Sequence, residues 1–345
     1  MAEYRAGVVG VGSRTVHGPL WARTLAGMPN VSLVRIVDEE PDSLARTARD
    51  VGVDDTSSDP RSVLEADDLD FVVVNTIDQV HAGQVDAALD AGKHVLTDKP
   101  LGVDTAEAAG LATKARAVGL KVAVGHVFRF VAQYEFVKKR VELGELGRLF
   151  QVEAGYVHDM RPVWKATPWR TDPDDPQNPW FGGALHPIDL AHWLGGDVTE
   201  VCAVENKASS EAEFPLNDNA IVLLKFASGA LGRVWSTFGI RQNPGFYTFC
   251  SAYGDQGSCL ARLDRKEAEL HVDWGVEGVG GPLNVPVSGG MNPNLACVLD
   301  FLDAIENDGA PRSDAAQAVQ NMAVLDAAVE SLDSGKFEPV QIPTI

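Results

Sequence analysis

Positive charge is scarce in this sequence. Against 49 Asp and Glu there are only 29 Lys and Arg, which leaves a formal net charge of −20 with neutral histidine. A field of that sign repels phosphate backbones and anionic headgroups, so neither nucleic acid nor a membrane surface is expected as the main partner. Cysteine is sparse too. Cys202, Cys250, Cys259 and Cys297 form no Cys-x-x-Cys, and none stands at metal-ligand spacing from a histidine. That excludes a small disulfide scaffold and leaves the four as reduced core thiols. No apolar run approaches the about 18 residues of a membrane span. The first dozen residues pass from Glu3 straight into a strand-like segment, without the apolar stretch of a signal peptide. A cytoplasmic protein is therefore expected. What is present, 45% hydrophobic and 23% charged residues with 33 Gly and 19 Pro, is the composition of a soluble globular protein. At roughly 100 to 200 residues per domain, 345 residues predict two domains.

The first third alternates short apolar runs with helical stretches, the pattern of an α/β doubly wound parallel sheet covered on both faces. Strands are predicted over 5–9, 31–37, 71–74, 94–96 and 121–124, with amphipathic helices over 41–51 and 79–91. The strand ends carry Gly10 and Gly12, then Asp38, then Asn75 and Thr76, then Asp98 and Lys99, then His126. In an open α/β sheet the ligand crevice lies outside the carboxyl ends of the strands, so these groups are expected at one site. After about residue 125 one helical segment leads into longer, alternating strands near 148–156, 198–206 and 219–238, with a hairpin turn at Ser228-Gly229. This predicts a C-terminal α+β domain with a helix-backed, largely antiparallel sheet, closed by helices over 295–334. The expected division is 1–124 and 125–345. The Pro- and Trp-rich stretch 161–180 reads as a long binding loop.

Gly10-Val11-Gly12-Ser13-Arg14-Thr15 follows a strand and precedes a helix, the setting in which a glycine turn holds a pyrophosphate at a helix N-terminus. Thr15 stands where a third glycine is usual. Asp38 closes the second strand 26 residues after Gly12, the place for a carboxylate on a ribose diol. With Glu39 and Glu40 beside it, a 2′-phosphate is repelled, and NAD is predicted over NADP.

Residues 91–100, Ala-Gly-Lys-His-Val-Leu-Thr-Asp-Lys-Pro, closely resemble the signature of the glucose-fructose oxidoreductase, inositol dehydrogenase and rhizopine-catabolism (Gfo/Idh/MocA) family, where the last three are usually Glu-Lys-Pro. The resemblance continues through Gly144-Glu145-Leu146-Gly147 and through 182–190, Gly-Gly-Ala-Leu-His-Pro-Ile-Asp-Leu, to Asp326-Ala327-Ala328 and Ser331. It implies an N-terminal Rossmann domain for a nicotinamide dinucleotide and an open-faced sheet domain that supplies substrate contacts and often oligomerises. A homodimer or homotetramer is expected, because a bare sheet face needs cover. It also implies that Lys99 lies near the reacting carbon and the nicotinamide, where like-charge crowding suits a lysine to relay a proton.

Oxidising a secondary alcohol needs a group that takes the hydroxyl proton, which an imidazole does well. His186 aligns with the family histidine. Many members carry an Asp four residues earlier, where this chain has Gly182. Asp189 could orient the His186 ring or merely brace the helix. His186, Asp189 and His192 recur every third residue, spread too widely round a helix for shared ligation, so no metal is expected. Trp169 and Arg170 offer an aromatic face and a fork of donors for a sugar, polyol or sugar acid, or wedge the loop onto its own domain. His126, with Arg129, could line the nicotinamide side or pin the domain junction. His81 could touch the cofactor or cap a helix. The sequence thus predicts an NAD-dependent dehydrogenase or reductase acting on a CH-OH group of a small carbohydrate-like substrate. Two alternatives stand beside it: a dinucleotide-binding sensor without turnover, and an enzyme recycling tightly bound NAD for lyase, hydrolase or epimerase chemistry.

Overall fold

The computed structural model describes residues 3–12, 14–15, 17–241, 246–264, 270–278, 283–287 and 292–345. Ser13, expected at the cofactor turn, lies outside them. The described residues fall into two compact units, one within Met1–Val127, Asn292–Gln320 and Pro343–Ile345, the other within Phe128–Met291 and Asn321–Ile342.

In the first unit, Val-, Ala- and Ile-rich segments have side chains buried on both faces, as a sheet covered by helices on each side demands. The strands of the unit are β1 (Tyr4–Val9), β2 (Val31–Val37), β3 (Asp55–Ser57), β4 (Phe71–Val74), β5 (His94–Thr97) and β6 (Val122–Val124). Their order is β3-β2-β1-β4-β5-β6 with parallel pairing throughout. This is the Rossmann order, and the direction of winding reverses between β1 and β4. The connecting helices are α1 (Gly18–Ala26), α2 (Pro41–Val51), α3 (Arg61–Leu64), α4 (His81–Asp90) and α5 (Thr105–Val118). Asp104 caps α5 by accepting from the Glu107 amide at 2.8 Å, and Glu107 accepts from the Val103 amide at 2.8 Å. Such reciprocal capping fixes where a helix starts. The strand β3, polar and three residues long, is absent from the sequence prediction; Arg35 holds this edge by donating to Asp55.

The second unit begins with α6 (Ala132–Glu142) and β7 (Leu149–His158) and continues through α7 (Arg161–Ala166) and α8 (Leu185–Gly195). The strands β8 (Val198–Asn206), β9 (Asn219–Phe226), β10 (Leu231–Thr237), β11 (Phe246–Gly254), β12 (Gly257–Asp264), β13 (Leu270–Val276) and β14 (Leu283–Val287) follow. After α9 (Pro293–Glu306), which belongs to the first unit, come α10 (Ala315–Ser334) and β15 (Glu338–Pro339). The sheet runs β14-β13-β12-β11-β7-β10-β9-β8-β15 and is antiparallel except where β10 meets β7. On one face α8 packs on β7, β10 and β11, and α6 on β11 to β13. Strand alternation follows: Val222 and Leu224 of β9 are buried, while Ile221 and Leu223 between them are exposed. The sheet is therefore covered on one face and bare on the other. Among the described residues no helix is long and apolar enough to cross a membrane.

Candidate active site

The ends of β1, β2 and β4 form a cradle at the switch point of the first unit. Gly10 leaves β1 at φ +87°, and a Cβ there would stand 2.1 Å from the Asn75 carbonyl oxygen, so only glycine lets β1 and β4 separate at this height. Asn75 is buried and donates from Nδ2 to the Gly10 carbonyl at 3.3 Å. The third glycine missing from the fingerprint reappears as Gly18, at the start of α1. A Cβ on Gly18 would meet the Gly10 carbonyl oxygen at 1.8 Å, which is the close strand-to-helix packing that the usual third glycine serves. Thr15 fills its own position usefully by donating from Oγ1 to the same carbonyl at 3.3 Å.

Asp38, at the end of β2, accepts from the Gly12 amide at 2.5 Å and from the Glu40 amide at 2.9 Å. Burial pushes its carboxyl above the ordinary value, although those two amides draw it down. A cleft of about 620 Å³ opens here, bordered by Gly10, Arg14, Asp38, Glu39, Thr76 and Gln84. Arg14 stands 4.0 Å from Glu39, and Thr76 donates to Gln84 Oε1 at 2.7 Å.

Beyond β5, Asp98 accepts from the Lys99 backbone amide at 2.9 Å and faces His17 Nδ1 at 3.5 Å. Burial opposes its charge, but the His17 contact and the positive groups of His17, Lys99 and His81 hold the Asp98 carboxyl well below the usual range. Asp98 is thus an anion that fixes the loop carrying Lys99. His81 is fully buried at the start of α4, and its ring nitrogens lie 2.9 Å from the Pro100 carbonyl oxygen and 3.1 Å from that of Thr76. It clasps the loops after β4 and β5 together. Lys99 and His126 are buried.

In the second unit a π-helical turn, Trp180–Ala184, leads directly into α8. Such turns widen a helix locally and recur at functional sites. One turn later His186 is buried against aromatic rings, stacked on Tyr156 at 5.2 Å with 15° between planes and 4.8 Å from Phe128. Tyr156 in turn bonds through its hydroxyl to His158 Nδ1 at 3.1 Å. The imidazole is therefore fixed in orientation, with its rotamer limited by flat neighbours.

Asp189 has a different setting. Its carboxylate accepts from Arg129 Nε at 3.0 Å and Nη2 at 2.6 Å, and from Asn321 Nδ2 at 2.6 Å, all of it buried. Asn321 Oδ1 meets His192 Nδ1 at 2.8 Å, and burial lowers the affinity of the His192 ring for a proton. The carboxylate binds α8 to α10 and to the segment before α6. Among the described residues no group of three or more His, Cys, Asp and Glu could hold a metal ion. The stretch 161–180, expected as a long loop, is partly helical: Trp164, in α7, stacks on Phe214 at 5.0 Å as core, while Trp169 and Arg170 in the short helical turn after it are half-buried, the guanidinium 4.7 Å above the Trp169 ring.

The family model described as "Oxidoreductase family, NAD-binding Rossmann fold" matches residues 4–126, and the one described as "GFO/IDH/MocA C-terminal domain" matches residues 134–260. The chain belongs to the Gfo/Idh/MocA family. Levoglucosan dehydrogenase of Pseudarthrobacter phenanthrenivorans is 26% identical over 90% of this chain and 89% of its own. Inositol 2-dehydrogenase 4 of Saccharopolyspora erythraea is 28% identical over 99% and 96%. Among solved structures, an oxidoreductase from Agrobacterium radiobacter in complex with NAD+, L-tartaric acid and magnesium superposes with TM-score 0.85 at 18% identity, covering 98% of this chain and 99% of that one. A levoglucosan dehydrogenase complex with NADH and levoglucosan gives 0.84 at 23%, covering 99% and 100%. These likenesses show the fold.

The residues of this Gfo/Idh/MocA chain fit its NAD. Gly10 and Gly18 clear the backbone at the N-terminus of α1, and the Asp38 carboxylate borders the cleft. Three participants escaped the sequence reading. Gly18 lies outside the fingerprint spacing; His17 and Asn321 reach partners 81 and 132 residues away. Only Gly18 left a local signal, a glycine opening a helix. With acids on the cleft rim, calorimetric titration should give an affinity for NAD at least about tenfold above that for NADP; comparable affinities would remove this assignment of the rim.

Proposed function

We propose that the protein transfers a hydride between a secondary hydroxyl or ketone of a sugar, polyol or sugar acid and NAD. The observation that carries this reading is a buried lysine, Lys99, fixed by Asp98 at a strand end of an NAD-binding unit. NAD, when bound, supplies the hydride acceptor. Lys99 Nζ donates a hydrogen bond to the carbinol oxygen and steadies the charge that grows there. His186 takes the hydroxyl proton as the carbon is oxidised, its ring aligned by Tyr156 and Phe128. Asn75, Thr76, His81 and His126 position the cofactor loops, and Arg14 supplies positive charge near the pyrophosphate. Trp169 and Arg170 offer a flat apolar surface and donors to the substrate's other hydroxyls or a carboxylate. Asp189 positions His186 through the buried brace on α8. The levoglucosan and inositol dehydrogenases among its relatives support the carbohydrate class. The test is a panel of hexoses, pentoses, inositols and sugar acids with NAD, followed by reduced-nicotinamide absorbance. One substrate class should react, and a panel that is silent although NAD binds would overturn the reading.

We also propose that a second copy covers the bare sheet face. Val204 is 63% exposed and Leu231 59%, and Ile221 and Leu223 are exposed on the same face, apolar side chains set beside the ion pairs of Lys225 and Arg233. Solution scattering should give the mass of a dimer or tetramer. A monomeric mass contradicts this.

A further inference from the structure

Gln177 stands at the end of the binding loop, its amide hydrogen donated to the Arg170 carbonyl at 3.0 Å, so that the loop closes on itself just before the π-helical turn. Its side chain is only 5% exposed. The amide lies where a Cβ of Gly182 would be, 2.9 Å from that position at Cδ and Nε2 and 3.2 Å at Oε1. Gly182 is the reason the amide fits. Gly182 precedes His186 by four residues, in the π-helical turn that runs into α8, so Gln177 packs against the entry to the helix that carries His186. Oε1 is buried without a hydrogen-bond partner among the described residues. A buried acceptor left unpaired is costly, and proteins keep one where a ligand completes it. Gly182 is itself half-buried, so the amide lies one van der Waals contact from backbone that solvent reaches.

We infer that Gln177 is a specificity-determining residue: its Oε1 accepts a hydrogen bond from a hydroxyl neighbouring the carbon that is oxidised, and Gly182 is retained to make room for it. This rests on the carbohydrate reading above. The acceptor is a neutral amide, so it selects for a vicinal hydroxyl without repelling a substrate carboxylate, as an acid in its place would. A vicinal diol, including that of a sugar acid, is the substrate class that satisfies it.

The test uses the full chain with NAD, and myo-inositol, D-glucose and their monodeoxy analogues as probes. Two variants remove the acceptor by independent routes. Gln177→Met deletes the amide at nearly constant length, and Gly182→Ala leaves Gln177 but puts a methyl 2.9 Å from its amide carbon, displacing it. Both should keep the circular dichroism and the single cooperative thermal transition of the unaltered chain, which shows that both units fold. Both should lose about ten- to a hundredfold in kcat/KM for the intact polyol and the preference over its deoxy analogue, and the double variant should lose no more than either alone. The polyol's elevation of the melting temperature should shrink in parallel. An unchanged preference and an unchanged melting shift in Gln177→Met overturn the inference while leaving the dehydrogenase reading intact. A melting shift that depends on Gln177, with no reduced nicotinamide formed by any chain, overturns that reading and with it the placing of the bound hydroxyl beside an oxidised carbon. If no probe shifts the melting of the unaltered chain or is oxidised by it, the inference fails.

Discussion

Replacing Lys99 with alanine should lower kcat by about 10² to 10⁴, the range over which a positioned proton-handling group contributes, while NAD affinity stays nearly intact. The separation follows from how the loop is held. Asp98 accepts from the backbone amide of Lys99, and His81 ties Pro100 to Thr76, bonds that truncation at Cβ leaves in place. Steady-state kinetics with the most active polyol, together with calorimetric titration of NAD, measure the two effects separately. Unchanged turnover would remove Lys99 from the chemistry, and a parallel collapse of NAD binding would mean that it supports the fold of the cleft.

Arg129→Met should cost about 3 to 5 kcal/mol of stability, the penalty for leaving a buried carboxylate without its counter-ion. Arg129 is wholly buried, and its fork is bidentate on Asp189. The Asn321 amide, which also donates to the carboxylate, carries no charge to set against it. Removing both charges with Arg129→Met and Asp189→Leu should recover most of the loss, because an apolar pair of similar volume has no charge to desolvate. Urea unfolding followed by circular dichroism gives both values. A loss below about 1 kcal/mol in the single variant would show that water or a rearranged side chain replaces the guanidinium. The surviving protein in the single variant should also lose turnover, since α8 carries His186 three residues before Asp189.

Acid should act on the same brace. Burial lowers the folded-state pKa of His192, so the unfolded chain takes up a proton before the folded one does. This contribution to stability is present above the ordinary histidine pKa and is lost as the pH falls through it toward the lower folded value.

How far the sequence revealed this molecule depends on the range of each interaction. The strands of the first sheet were readable because Val8, Val73, Val95 and their neighbours are buried on both faces and form unbroken apolar runs. The strand β3 was not, since Asp-Thr-Ser at an exposed edge has neither run nor alternation. The strand β11, Phe246–Gly254, mixes aromatic and small residues on both faces and offers no clean period of two. Lys99 and His186 stood out through the motifs around them. The brace did not, because Arg129, Asp189 and Asn321 are separated by 60 and 132 residues and meet only in the folded unit. Gly182 was visible as a departure from the family pattern, but what fills its space comes from a loop whose path the sequence does not specify.

The most direct measurement follows the hydrogen itself. A polyol that the protein oxidises, deuterated at its reacting carbinol carbon, is incubated with NAD, and the reduced nicotinamide is weighed by mass spectrometry. The account predicts one deuterium on the nicotinamide for each ketone formed, with formation of both strongly reduced in His186→Ala. Deuterium retained in the organic product, or lost to water with no labelled nicotinamide, would contradict it.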